Sequence, residues 1–390
     1  GGATWTTDKI ADGDDLGFAC CDSSLAFDRF GNLFLTYLFN FAVGVPVAVS
    51  VDGGATFRPL ALILPRLDGD RRVMARGSGP STHRASVPDQ PTITTGLGSV
   101  WVTFTGGGRA EASGAAVEGF NSIGAFSRPE VAARHPVGHF GDVAVGPDGQ
   151  VLVTYQSLSG EGPGTIFTDL DPDGLGPAGF DPARPAVGTN VGDFDAIPAA
   201  ARVTVDAEAG LAWDRTNGPH RGRVYLVYTS EFPDESDDLD VRVRYSDDQG
   251  KTWSSPVRVN DDTTVNSQFD PKIAIDRTTG QVAISWYDCR NDRGDGEPGD
   301  TNGIPNDDAT MYAAVSRDGG ESFSPNVRVS AGVSNSADAD SGLDFGDYEG
   351  LAYEAGTFYP VWADNSNSTG DNPDGALRRL DIYTAAVPGR

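Results

Sequence analysis

One eight-residue pattern recurs along the chain and constrains its fold more than any other feature. SVDGGATF (residues 50–57), SDDQGKTW (246–253) and SRDGGESF (316–323) all fit S-x-D-x-G-x-[TS]-[WF]. Its chemistry is that of a hairpin turn. The Asp carboxylate accepts nearby backbone N–H groups, Gly supplies a positive-φ position, and the closing aromatic ring has apolar area to bury between neighbouring sheets. The second and third copies begin 70 residues apart and the first and second 196 apart. The longer interval is close to three steps of about 65 residues, so the chain is a repeat architecture.

A second unit recurs between the copies. It is found in LAFDRFGNLFLTYL (25–38), VAVGPDGQVLVTYQ (143–156), LAWDRTNGPHRGRVYLVYT (211–229), IAIDRTTGQVAISWYD (273–288) and LAYEAGTFYPVWAD (351–364), and more weakly in DQPTITTGLGSVWVTF (89–104). Each is a short apolar run, a turn rich in Asp and Gly, and a β-branched and aromatic run, which reads as strand, tight turn, strand. Where a whole eight-residue motif follows, it joins a third strand to a fourth. The expectation is an all-β fold: a six-bladed β-propeller of four-stranded antiparallel blades, one domain over residues 1–390. The last group lacks a fourth strand at its C-terminal end. Residues 3–10 (ATWTTDKI) are expected to supply it, since GGATW at the start fits the tail of the motif. Pairing the N- and C-terminal strands would close the ring and remove two exposed sheet edges.

Charge bears on partners. The chain carries 56 acidic against 29 basic residues, a formal net charge of −27. Such a field repels nucleic acid and anionic membranes and attracts cations. No apolar run approaches the roughly 20 residues of a spanning helix, so no membrane insertion is expected. Cys20, Cys21 and Cys289 form no zinc pattern. Either Cys289 pairs with Cys20 or Cys21, or all three are reduced. Neither an initiator methionine nor a signal peptide is present, and a processed, secreted form at the cell surface or beyond is the expectation.

With these motifs the chain resembles the Asp-box (BNR repeat) proteins, specifically the sialidase-like six-bladed β-propellers, over nearly its whole length. The resemblance implies that Asp52, Asp248 and Asp318 are structural and lie on the face opposite the active site. It also implies three arginines around a substrate carboxylate, the first in an F-R-I-P motif, with a catalytic Asp and a Tyr–Glu pair. No F-R-I-P occurs here; FRPL (57–60) is the tail of a hairpin motif, which puts Arg58 in the wrong place. Arg84, Arg290 and Arg378 are the remaining candidates for a converging set. Asp347, Tyr348 and Glu349 in GDYEG stand where a sialidase keeps its late catalytic residues, and Tyr with Glu could serve as nucleophile and base.

The positions leading into each innermost strand carry Asp22, Asp89, Asp142, Glu208, Asp270 and Asp347. An acid at or near the same place in six blades would ring the mouth of the central channel. Such a ring raises the pKa of its members or recruits a cation, and it disfavours an anionic sugar. The other reading is that each Asp caps its strand through backbone hydrogen bonds. Asp22, Asp89, Asp142, Asp270 and Asp347, with Arg290, form the expected ligand-binding set.

Hard oxygen donors are densest in DCRNDRGDGEPGDTNGIPNDD (288–308). Asp292, Asp295, Glu297, Asp300, Asn302, Asp307 and Asp308 suit Ca²⁺, which takes six to eight oxygens in flexible geometry. The alternative is a loop held open by self-repulsion. Asp169, Asp171 and Asp173 form D-x-D-x-D-G, half of an EF-hand-type loop, but Phe180 stands where its closing Glu belongs. That stretch reads equally as a degenerate hairpin turn. Together these features lead to an extracellular, calcium-stabilised propeller that binds or scaffolds a glycan or cell-surface protein. The runner-up is a glycoside hydrolase of sialidase-like type, and a third possibility is a subunit of an extracellular assembly.

Overall fold

The second strand of each blade explains the architecture. Leu33–Phe39, Ser99–Gly106, Val151–Ser157, Val224–Glu231 and Val282–Asp288 are buried almost throughout. Both faces of these strands are covered, so they cannot belong to a sheet with a solvent side. A computed structural model describes residues 8–39, 44–66, 88–132, 137–292, 307–339, 344–366 and 380–389. It arranges them as six antiparallel blade sheets and one two-stranded hairpin, a six-bladed β-propeller.

Blade one orders Gly17–Phe27, Leu33–Phe39, Val45–Ser50 and Arg58–Ile63 from channel to rim. Blades two to five repeat that plan from the inner strands Asp89–Thr95, Gly138–Val145, Gly210–Trp213 and Gln268–Ile275. Blade six has Gly350–Glu354 and Thr357–Asp364, and a third course formed by Asp381–Thr384 and Val387–Pro388, both paired to the second strand. The closing strand expected over residues 3–10 falls mostly outside the described residues. Residues 8–10 are not in a strand.

Apolar side chains bury between adjacent blades. Val47, Val49, Val100 and Phe104 meet between blades one and two, and Trp101, Val143, Val153 and Tyr155 between two and three. Leu152, Ile166, Leu226 and Tyr228 fill the next boundary, and Tyr225, Val243, Ile284 and Trp286 the one after. The turns between first and second strands are set by an Asp: Asp28, Asp214 and Asp276 each accept the N–H two residues on, at 2.7–2.8 Å.

The eight-residue motif forms the same turn in all three places. The Oγ of Ser50, Ser246 and Ser316 accepts the N–H of Gly54, Gly250 and Gly320 at 2.8 Å. Asp52 and Asp248 accept both the N–H and the hydroxyl of Thr56 and Thr252, and Asp318 does the same for Ser322. These bonds hold the Asp52 carboxyl down at about 2. The turn glycines have φ between 76° and 95°, a region that only Gly enters without strain. The closing aromatics Trp253 and Phe323 pack at blade boundaries, as the sequence implies.

Candidate functional site: the acidic mouth of the central channel

Four of the six inner strands are kinked near their start. Pairing with the second strand slips between Cys21 and Ser24, Asp89 and Thr92, His139 and Asp142, and Phe269 and Lys272. Asp22, Gln90, Glu208 and Asp270 have φ from 41° to 55°. A bulge of this kind breaks the alternation of a strand and re-aims a side chain. Together with the turns before the other inner strands, it brings Asp22 near enough to Asp89 and Asp347 for their charges to act on it.

The register also shows why those acids are not strictly equivalent. Asp22, Glu208 and Asp270 are the left-handed residues themselves. Asp89 and Asp347 stand one residue earlier, a place that His139 takes in blade three, and Asp142 stands two residues later, inside the strand. His139 Nε2 lies 2.6 Å from Asp193 Oδ2. The capping reading holds for some members only. Asp142 accepts the N–H of Val143 and, across the blade boundary, that of Leu211, both at 2.7 Å. Asp22 accepts the N–H of Gln90 at 3.3 Å. Asp270 is buried, 6 % exposed.

Crowding and burial set the protonation of this group. Burial, with Asp89 and Asp347 adding like charge, pushes the Asp22 carboxyl up to about 7. Burial takes Asp142 up to about 6 despite its two N–H donors. Asp270 and Glu349 are pushed well above the ordinary carboxylate range, first by burial and then by their acidic neighbours. Asp347 is raised by burial and by Glu208, and the Tyr348 hydroxyl by burial and by Asp22. The Tyr348 hydroxyl stands beside Asp22 and holds that carboxyl down somewhat, while both Glu349 carboxylate oxygens are shielded from solvent and have no hydrogen-bond partner among the described residues.

Two contributors escaped the sequence reading. Asp206, hydrogen-bonded to the Glu208 N–H, is pushed well above its ordinary value by burial and by Glu208. Lys272 forms an ion pair with Glu208. Although burial opposes its charge, Glu208 and Glu349 raise its pKa. An unpaired D-x-E before an inner strand and a lysine in a chain otherwise almost free of them were the available signals. The hairpin Asp195–Ile197 with Ala200–Val205 was also missed. It leans on Phe269, Tyr287 and Phe345, and Asp344 Oδ2 accepts the N–H groups of Arg202 and Val203 at 2.8 and 3.0 Å. That ties the hairpin to the segment carrying Asp347, Tyr348 and Glu349.

Other expected site residues stand elsewhere. Arg290 is engaged by other side chains. Its guanidinium pairs with Asp288 at 2.8 Å and Asp261 at 2.7 Å and lies over the Tyr312 ring. The adjacent Asp288 holds the side chain in an ion-pair network. Arg58 is on the rim, bonded to Asn121. Arg84 and Arg378 lie outside the described residues.

The cysteine expectation is also corrected. Cys20 and Cys21 form a disulfide with each other, and Cys289 is a fully buried free thiol. Adjacency decides the pairing: Cys20 and Cys21 share the exposed bulge before Asp22, while Cys289 is held in the core with Tyr287 and Met311.

Among the metal candidates, Asp292, Asp307 and Asp308 come together, with one oxygen of each within 4.8 Å of the others. Asn335 Nδ2 donates to Asp307 and Asp308 at 2.8 Å. Asp295, Glu297, Asp300 and Asn302 lie outside the described residues. Asp169, Asp171 and Asp173 do not converge, which corrects the half-EF-hand reading. Asp171 accepts the N–H groups of Asp173 and Gly174, and Asp173 that of Ala178, so both are spent on the turn. Asp169, 1 % exposed, is buried beside the Tyr155 hydroxyl.

A family model for the BNR/Asp-box repeat matches residues 244–255. No curated protein matches the sequence. Among solved structures, the endosialidase of phage phi92 is similar with a TM-score of 0.52 at 9% identity, covering 95% of this chain and 67% of its own. The Hadza microbial sialidase Hz136 gives 0.49 at 15% identity, over 96% and 67%. A GH93 α-L-arabinofuranosidase of Fusarium graminearum gives 0.41 at 12%, over 94% and 81%. At these identities the likeness is one of fold: the chain is an Asp-box six-bladed β-propeller with the sialidase-like fold.

Proposed function

We propose that this propeller is an extracellular or cell-surface protein that binds a glycan, free or carried on a cell-surface protein, at the acidic mouth of its channel. The observation that carries the reading is the Glu349 carboxylate, whose oxygens are shielded from solvent and have no hydrogen-bond partner among the described residues. Buried polar groups left unpaired cost free energy that a ligand hydroxyl or amine recovers. Carboxylates and a tyrosine hydroxyl suit a hydroxyl-rich ligand, and the surplus of acid over base at the mouth disfavours a sialic acid carboxylate. The net charge and the Cys20–Cys21 disulfide support an oxidising, extracellular setting. Asp292, Asp307 and Asp308 are the residues that would hold Ca²⁺, bracing the loop between the second and third strands of blade five.

The test is a glycan array followed by titration calorimetry of the hits. Binding that is lost in Glu349→Gln and Tyr348→Phe supports the reading; hits unaffected by both variants contradict it. Adding a chelator is expected to lower Tm, and an unchanged Tm contradicts the calcium assignment.

One observation favours hydrolysis as a second reading. A carboxyl pushed up to about 7, as at Asp22, is protonated often enough at neutral pH to act as a general acid beside Tyr348 and Glu349. Turnover of neutral aryl glycosides that disappears in Asp22→Asn would establish it; absence of turnover on a broad panel leaves binding alone. No turnover of a fluorogenic sialoside is expected under either reading.

A further inference from the structure

We propose that the groove between the outer edges of blades one and two docks an extended acidic segment of a partner protein, which adds to Arg58–Ile63 as a further strand. The groove shares no residue with the acidic mouth, and the inference stands whether or not a glycan binds there.

The groove holds about 890 Å³. Residues 60–66, in and just after the outer strand of blade one, make one wall, and residues 124–129 of blade two make the other. Leu62 and Leu64 are 52% and 55% exposed, while Phe126 packs on the core between the two blades. Arg58–Ile63 ends its sheet, with no strand on its outer side among the described residues. Register shows which backbone groups this edge presents. Pro46, which has no N–H to give, stands opposite Leu62, and the Ile63 carbonyl oxygen faces Gly44, where a Cβ would lie 2.9 Å from it. In an antiparallel pair, successive residues turn their N–H and C=O to opposite sides of the strand. Ile63 therefore spends its groups on blade one, and Leu62 turns its own outward to the groove. On the facing wall, Gly124 and Ser127 give their N–H groups to Ala116 and Gly114 of their own blade, both at 2.8 Å.

Charge selects the occupant. The charged side chains that line the groove are Arg66 and Arg128, both basic in a chain of 56 acidic and 29 basic residues. Neither forms an ion pair with a described residue. Glu111, which accepts the Arg66 N–H at 2.9 Å, is 2% exposed and does not line the groove. A fatty acid would match the leucines and the arginines but offers nothing to the N–H and C=O of Leu62. An extended peptide offers both, with apolar side chains for Leu62 and Leu64 and carboxylates for the two arginines. A second copy of this chain brings the same net charge of −27 and is repelled. Residues 67–87 carry four arginines and two aspartates, so their charge has the sign of Arg66 and Arg128 rather than the opposite one.

The test is fluorescence anisotropy on the full chain with three labelled octapeptides: valine alternating with glutamate, valine alternating with lysine, and the glutamate peptide methylated on every backbone nitrogen. The glutamate peptide is expected to bind roughly tenfold more tightly than either of the others. Leu62→Pro removes the outward N–H while sparing the bonds to blade one, and Arg128→Glu reverses the charge at an exposed position. Each should weaken the glutamate peptide roughly tenfold at an unchanged melting temperature, and Arg128→Glu should narrow its lead over the lysine peptide. Should Leu62→Pro lower the melting temperature, Arg128→Glu decides alone. Equal binding of the glutamate and lysine peptides, or full binding of the methylated one, overturns the inference, since the groove would then be an unselective apolar patch. No binding of any peptide also overturns it. Binding that appears only after residues 67–87 are replaced by a glycine-serine linker would make the chain's own segment the occupant. A dimer in sedimentation that Leu62→Pro dissociates would make it a second copy, and either result overturns the proposal.

Discussion

Lys272 of blade five holds its ammonium against the Glu208 carboxylate of blade four, and through that contact two blades share one charge pair at the channel. Burial opposes the lysine's charge, yet its pKa is raised because Glu208, Glu349 and Asp270 surround it. The pair is thus a structural hinge-pin of the mouth as well as part of its electrostatics.

Changing Lys272 to Met should leave these three acids without compensation. Breaking a buried pair from one side costs about 3–5 kcal/mol. Here both side chains keep about a fifth of their surface, 23% and 21%, so we expect about 2 kcal/mol by urea denaturation. Adding Glu208→Gln to that variant should restore part of the loss. A Lys272→Met protein as stable as the parent would show that the pair contributes nothing.

The pH dependence of stability has a sign that can be worked out. Burial raises Asp22 to about 7, Asp142 to about 6 and Asp169 to about 8 from an ordinary 3.8. The folded protein therefore holds protons that the unfolded chain releases. The stability these groups confer is complete below about pH 4 and is lost as pH rises toward 8. Asp52, lowered to about 2, acts oppositely and loses its contribution as pH falls below 4. Thermal melts should show greatest stability in the mildly acidic range and a decline toward pH 8. Asp169→Asn should flatten that decline and raise Tm at pH 8; an unchanged slope would contradict the burial that raises this carboxyl.

Arg290→Ala should cost about 3 kcal/mol, because it strands Asp288, which is 0% exposed, and removes the stack on Tyr312. Arg290→Lys should recover only part, since an ammonium cannot reproduce the two-pronged contact. Ligand affinity of the folded fraction should not change. A selective loss of binding at unchanged stability would return Arg290 to the site.

Peptide mapping without reduction should find Cys20 joined to Cys21, with Cys289 alkylated only after unfolding. A peptide linking Cys289 to either of the others would contradict the pairing.

The repeat was legible in the sequence because its turn chemistry is local: Ser50, Asp52 and Gly54 specify one hairpin whatever surrounds them. The alternation of short strands gave the blade count for the same reason. The acidic mouth was legible as a set of residues and not as an arrangement. Bulges decide whether Asp89, Gln90 or Asp142 points into the channel, and a bulge is set by pairing between strands, which no single segment carries. Lys272 went unremarked because its meaning depends on Glu208, 64 positions earlier. The partners of Arg290 were not legible because an arginine in an acidic loop is equally suited to a pocket and to an ion-pair network, and only the fold brings Asp288, Asp261 and Tyr312 around it.

The most direct measurement of the central claim is a crystal structure of the protein grown with a glycan that it binds in solution. The account predicts density at the channel mouth, with ligand atoms within hydrogen-bonding distance of Glu349 and the Tyr348 hydroxyl. An empty mouth with the glycan seated elsewhere, for instance in the rim groove lined by Leu62, Leu64 and Phe126, would contradict it.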